Sequence, residues 1–147
     1  MISEQPRVLL SDRQRKVRIK LAPLREFAER AFRECLRLPR QKDAVLALLS
    51  ELSVVVMSDK RIGAIHESFM QDPTPTDVIT FQHGEIVISV DTAKRNARTY
   101  QTSLDHELKL YFVHGLLHLG GYDDKTKKGA AEMKRLQEAI VAKLDER

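Results

Sequence analysis

Residues 114–124 read HGLLHLGGYDD: two histidines four apart, then two glycines and two aspartates. On an α-helix, positions i and i+4 differ by about 40° in direction and about 6 Å along the axis. The imidazoles of His114 and His118 can then converge on one point, which is the usual helical half of a zinc site. Gly120 and Gly121 tolerate positive φ, so the helix can stop there and the chain can turn back. A residue past that turn reaches the same point from a third direction. Asp124 stands six after His118 and completes the pattern H-x-x-x-H-x-x-G-x-x-D. Zinc accepts carboxylate oxygen at nearly the same distance as nitrogen. Asp123 is the competing ligand, with fixing the turn as its other role; the spacing favours Asp124. One zinc per chain on His114, His118 and Asp124 would keep its fourth position for water, the catalytic form of such a site. The alternative is a structural pair of histidines hydrogen-bonded at a helix end.

Other groups are candidates for supporting roles. Glu107 lies seven residues before His114, two turns back on nearly the same face. There it would either orient His114 or pair with a lysine. His83 ends a predicted strand, near the metal or in a surface turn, and His66 and His106 are read as surface or cap residues. Thr76 and Asp77 have side chains that bond local backbone and would shape a loop. No general base is evident. The ligand layout also mimics that of metzincin proteases, but those enzymes carry glutamate directly after the first histidine. Gly115 stands there, with no carboxylate, which argues against a protease.

These residues need a scaffold, and the hydrophobic periodicity supplies one. Arg7–Leu10 and Lys16–Ile19 are read as one N-terminal strand. Leu21, Leu24, Phe27, Ala31, Cys35 and Leu36 recur at helical spacing, and Pro39 marks the end of that helix. A short helix is expected over 44–50. Residues 52–57, LSVVVM, form a β-branched run typical of a buried strand. Ser58 or Asp59 caps a helix over about 60–70. QDPTPTD, residues 71–77, holds two prolines and must be a loop. DVITFQ and EIVISV are two strands around a tight turn at His83-Gly84. Asp91 opens a helix to about Tyr100. Thr102 or Ser103 caps the histidine-bearing helix over 104–119, and a last helix covers about 126–145. The expected fold is α+β: a small mixed sheet of about four strands packed with about five helices, with a zincin-like metal site on a helix that ends in a Gly-Gly turn.

The bulk numbers agree with one folded domain over residues 1–147. At 147 residues, with 42% apolar and 31% charged content, the chain can build one core and is not of disordered type. The single cysteine, Cys35, cannot form an internal disulfide and falls in an apolar pattern, so it is read as a small core residue. No apolar run of about 18 residues exists and the N-terminus lacks a leader-like apolar stretch, so a soluble cytoplasmic protein is expected. The net charge of +4 is uneven. Residues 7–40 carry 11 Lys/Arg against 4 Asp/Glu; a basic third of this kind suits a polyanionic partner or a solvated helix surface.

The stretch His114 to Asp124 resembles the YbeY family of rRNA-maturation endoribonucleases, whose motif runs H-G-x-L-H-L-x-G-Y-D-H. Pro75 to Phe81 (PTDVITF) is similar to that family's P-T-D-V-L-S-F, and Gly84 to Ser89 (GEIVIS) to its G-D-I-x-I-S. Glu107-Leu108 also fits, so the likeness covers about residues 50–125. The resemblance implies a single-strand-specific, zinc-dependent endoribonuclease acting in rRNA 3′-end maturation and ribosome biogenesis. Its implied partners are single-stranded RNA, an rRNA precursor and the small ribosomal subunit. There are two departures. Asp124 replaces a third histidine, which makes the ligand set harder and one charge more negative, acidifies water less, and shifts metal choice towards manganese or iron. Met70 stands where the family usually carries an arginine, a candidate for gripping phosphate. Both departures favour an alternative, a catalytically weakened ribosome-associated RNA-binding protein with a structural metal.

Overall fold

The computed structural model describes residues 7–71 and 76–145. The order is β1 (Arg7–Asp12), α1 (Leu21–Leu36), a 3₁₀ turn (Leu46–Leu48), β2 (Glu51–Met57), α2 (Asp59–Met70), β3 (Val78–Phe81), β4 (Glu85–Ser89), α3 (Val90–Thr99), α4 (Leu104–Leu119) and α5 (Lys127–Asp145). The strands form one sheet in the order β1-β2-β4-β3. β1, β2 and β4 are parallel, with Leu10 opposite Val54 and Val54 opposite Ile86. β3 is antiparallel to β4 and lies at the edge. This is the α+β class expected, with a mixed sheet of four strands and five α-helices.

Alternation along the strands divides the core in two. Leu52, Val54, Ile86 and Ile88 face the larger cluster, with Phe27 and Phe32 of α1 and Leu108, Phe112 and Leu116 of α4. Val55, Met57 and Val87 face the other side, which α2 covers with Ile62. α4 is the central helix: nine of its sixteen residues are buried, which requires apolar residues almost all round. α1 and α5 pack against it. Cys35 is buried, as expected, and burial followed by the charge of Glu34 pushes its thiol up to about 12.

Side-chain caps mark the helix starts. Ser58 Oγ accepts from the Arg61 N–H, Ser89 Oγ from Thr92, and Ser103 Oγ from His106. Of the expected alternatives, Ser58 and Ser103 are therefore the caps, and α3 starts at Val90, one residue before Asp91. Thr126 Oγ1 accepts from the Gly129 N–H and so caps α5.

Two expectations are corrected. Lys16–Ile19 is not strand, because the Gln14 side chain takes over the backbone of Val17: its amide donates to the Val17 carbonyl at 2.6 Å and accepts from the Val17 N–H at 2.9 Å. The helix over 44–50 shrinks to a 3₁₀ turn, since the Val45 N–H donates to the Leu119 carbonyl at 2.8 Å and ties this segment to the end of α4. The loop expected over 71–77 falls mostly on residues 72–75, outside the described residues. Among the described residues no helix is long and apolar enough to cross a membrane.

Candidate metal centre

α4 delivers both histidines, and its position depends on Gly115. A Cβ there would lie 2.6 Å from Cδ1 and 2.9 Å from Cγ1 of Ile86, whose side chain is fully buried. The absent side chain lets the helix lie directly on β4. A glutamate at that place would drive into the sheet, so the protease arrangement is unavailable for steric as well as chemical reasons. After Leu119 the helix closes with a Schellman turn. Gly121 adopts φ +91°, its N–H donates to the His118 carbonyl at 3.0 Å, and the Tyr122 N–H donates to the Leu117 carbonyl at 3.0 Å. A side chain at 121 would also collide with the Lys42 carbonyl, 2.7 Å away.

That turn aims the ligands. His118 Nδ1 lies 3.1 Å from the carbonyl of Tyr122, the residue just past the positive-φ glycine. His114 Nδ1 lies 3.0 Å from Oε1 of Gln137 on α5. Both acceptors require an N–H, so each Nδ1 carries the hydrogen and each Nε2 keeps its lone pair. The two Nε2 atoms face one another at 3.0 Å. Asp124 Oδ2 lies 3.9 Å from His114 Nε2, and ligand atoms of all three residues fall within 4.8 Å of one another. Tetrahedral zinc with bonds of about 2.0–2.1 Å would hold such atoms roughly 3.3 Å apart. Two neutral imidazoles with opposed lone pairs repel unless a cation lies between them, so the donor set fits a metal. Burial, followed by the neighbouring His114, moves the His118 pKa below its usual value and favours the neutral form that ligation needs. Asp123 is occupied otherwise: its Oδ1 accepts from the Lys125 N–H at 3.1 Å, the turn-fixing role.

A cleft flanks the centre on each side. Beside His114 a cavity of about 450 Å³ is lined by Asp77, Glu107, Tyr111, Lys134 and Gln137, among others. Glu107 is buried there and accepts a hydrogen bond from the Thr102 hydroxyl at 2.6 Å. Among the described residues it has no hydrogen bond or ion pair with His114 or a lysine; Nδ1 of His114 meets Gln137 instead. Asn96 donates to the Tyr111 hydroxyl at 2.7 Å, and burial above all raises that phenol to about 12. Beside His118 a cleft of about 280 Å³ runs along the edge strand, lined by His66, Met70, Thr76, Val78, Thr80 and Gln82. His66 and His106, read from the sequence as surface or cap residues, line one cleft each, while His83 sits in the β3–β4 turn and lines neither.

The Endoribonuclease YbeY family pattern matches residues 9–145. The chain belongs to the endoribonuclease YbeY family. That membership, expected from the motif, makes it an enzyme of the hydrolase class, an endoribonuclease. The endoribonuclease YbeY of Nautilia profundicola is 38% identical over 103 residues, 65% of this chain and 73% of its own length. The endoribonuclease YbeY of Thermus thermophilus is 32% identical over 123 residues, 71% and 88% of the two chains. A Thermotoga maritima protein solved in solution superposes with a TM-score of 0.63 at 27% identity, over 95% of this chain and 88% of its own.

Residue 70, where the resemblance implies an arginine, lies at the site. Met70 is 57% exposed and lines the cleft beside His118, and among the described residues no arginine lines either cleft. Among the described residues, Lys134 of α5, one turn before Gln137, is the only lysine or arginine lining the two clefts. Sequence reasoning missed Gln137 and Lys134. They lie on a different helix from the histidines, and only their common 3.6-residue face on α5 connects them.

Proposed function

We propose that this chain is a metal-dependent endoribonuclease that cleaves single-stranded RNA. It holds one zinc ion per chain on His114, His118 and Asp124. It works as one domain in the cytoplasm, on rRNA precursors at the small ribosomal subunit during 3′-end maturation. The observation that carries the reading is the pair of Nε2 atoms 3.0 Å apart, with both Nδ1 hydrogens committed to other acceptors. A bound divalent ion would supply a Lewis acid for a phosphate oxygen and would lower the pKa of water in its open position.

The rest is work for the chain's own residues. The Tyr122 carbonyl and the Gln137 amide hold the two imidazoles at fixed angles. Lys134 supplies a positive charge for a phosphate of the substrate in the cavity beside His114. The basic residues of 7–40 add salt-dependent attraction to the RNA backbone. Met70 at the cleft favours a second reading, in which the chain binds RNA and keeps a structural metal but has lost most of its cleavage.

Cleavage of a short fluorescent single-stranded RNA separates the two. The account expects cleavage by the wild type, its loss on chelation, its return with zinc, and a drop of more than ~100-fold in His114→Ala, beyond the effect of removing an outer-shell partner. Protein shown to carry one metal per chain that leaves the RNA intact would decide for the binding protein.

A further inference from the structure

The side of the sheet under α2 carries a second surface. α2 leaves part of it open, and a cleft of about 350 Å³ runs over Val55, Met57 and Val87. A row of rings walls it. The Phe69 ring, at the end of α2, stands edge-on to Phe81 with centroids 5.2 Å apart and planes at 68°. His83 stacks on Phe81 at 5.7 Å with planes at 21°. Phe69 is 69% exposed and the His83 side chain 70% exposed. Exposed rings at this density are unusual in a chain with 5% aromatics. Arg13, just past β1, and Arg61, in the first turn of α2, line the same cleft. Neither guanidinium has a hydrogen bond or ion pair with any described residue. Glu85, the one acid among the described residues lining the cleft, faces His83 at 3.3 Å.

Two exposed rings, Phe69 and His83, beside two cations unpaired among the described residues match one ligand chemistry. The bases of a single strand can stack on the rings while its phosphates meet the arginines. An acidic peptide would use the arginines and leave the rings unexplained. A duplex keeps its bases stacked on each other and could not use the rings. The surface also continues into the metal centre. Met70 and Gln82 line the cleft beside His118, and their neighbours Phe69, Phe81 and His83 line this one. Among the described residues, α2 and the edge strand β3 each contribute side chains to both clefts. We propose that Phe69, Phe81 and His83, with Arg13 and Arg61, form a docking platform for the single-stranded RNA that extends past the cleavage site over β3. The proposal rests on the RNA reading above and assigns where the strand lies.

The test is the affinity of the full chain, with metal bound, for a fluorescent 2′-O-methyl RNA of ~12 nucleotides, within the site sizes of single-strand binders. Fluorescence anisotropy reads the affinity, and a gel afterwards checks that the RNA is intact. Phe69→Ala should weaken binding by about 5- to 100-fold, the range for losing one stacked base, and Phe69→Trp should keep it. Arg61→Ala and Arg13→Ala should each lower the salt slope of log K by about 0.7. Because Phe69 is exposed, its truncation leaves the core intact. Tight binding by the wild type with equal affinity in all these variants would overturn the platform and leave the nuclease reading standing. A wild type that neither binds nor cleaves single-stranded RNA would sink both. Self-association of the wild type that Phe69→Ala abolishes, with RNA affinity unchanged, would make the surface a contact between copies and overturn the proposal.

Discussion

The centre depends on two hydrogen bonds that hold the imidazoles. Gln137 accepts from His114 and the Tyr122 carbonyl accepts from His118. Outer-shell acceptors of this kind usually matter by 10–100-fold in metal affinity or activity. Gln137→Leu keeps the side-chain volume and removes the acceptor. It should weaken zinc binding by about 10–100-fold in a competition with a chromophoric chelator; unchanged affinity would remove Gln137 from the site. Lys134→Ala should raise the KM for RNA and lower the salt slope by about 0.7, the value for one phosphate contact on a single strand. A salt slope equal to the wild type would place the phosphate elsewhere. The histidine pair was legible in the sequence because i,i+4 spacing is local. Asp124 was legible because Gly120-Gly121 dictates a reversal. Gln137 was not, because its contact with His114 spans 23 residues and no local pattern encodes which face of α5 meets α4.

At the scale of elements, the close approach of α4 to the sheet is decided at Gly115. Ala at that place gains about 1 kcal/mol of helix propensity. Its Cβ would also meet a fully buried Ile86 at 2.6 Å, and overpacking costs typically 1–3 kcal/mol. The clash should win, so Gly115→Ala should lower stability by up to about 2 kcal/mol in urea titration. A gain would show that Ile86 can swing aside. The N-termini of α2 and α3 are joined through Asp59, which accepts from the Ser89 hydroxyl, from Thr92 Oγ1 at 2.8 Å and from Arg95 Nη1 at 2.7 Å. Burial raises the Asp59 pKa, and the bonds from Ser89, Arg95 and Thr92 outweigh it, so the folded value lies below the usual 3.8. A depressed folded pKa contributes stability that is full above the unfolded value and is lost as pH falls through the folded one. Asp59→Ala should therefore cost about 1.5–3 kcal/mol at pH 7, the range for bonds to a charged group. The cost should shrink in urea titrations well below pH 3.8; a cost that stays constant would mean the carboxylate charge is irrelevant. The long helices were legible from their period. Lys16–Ile19 was misread because Gln14, a side chain, satisfies the backbone that a neighbouring strand would otherwise pair.

At the scale of the molecule, the mixed sheet was legible as a class but its strand order was not. β4 inserts between β2 and β3, and nothing local in EIVIS says which strands it pairs with. This ordering puts β3 at the edge, where its two sides serve the His118 cleft and the aromatic platform. The stacking row was invisible in a composition of five Phe, three Tyr and no Trp, because Phe69, Phe81 and His83 meet only through the fold. The central claim is that His114, His118 and Asp124 hold one metal ion. Its direct measurement is elemental analysis of metal per chain for the wild type, His118→Ala, Asp124→Ala and Asp123→Ala. The account predicts about one zinc per chain in the wild type and Asp123→Ala, and loss in the other two variants, as for a three-ligand site deprived of one ligand. Metal kept by Asp124→Ala and lost by Asp123→Ala would contradict the assignment of the third ligand. No metal in any sample after reconstitution would contradict the site.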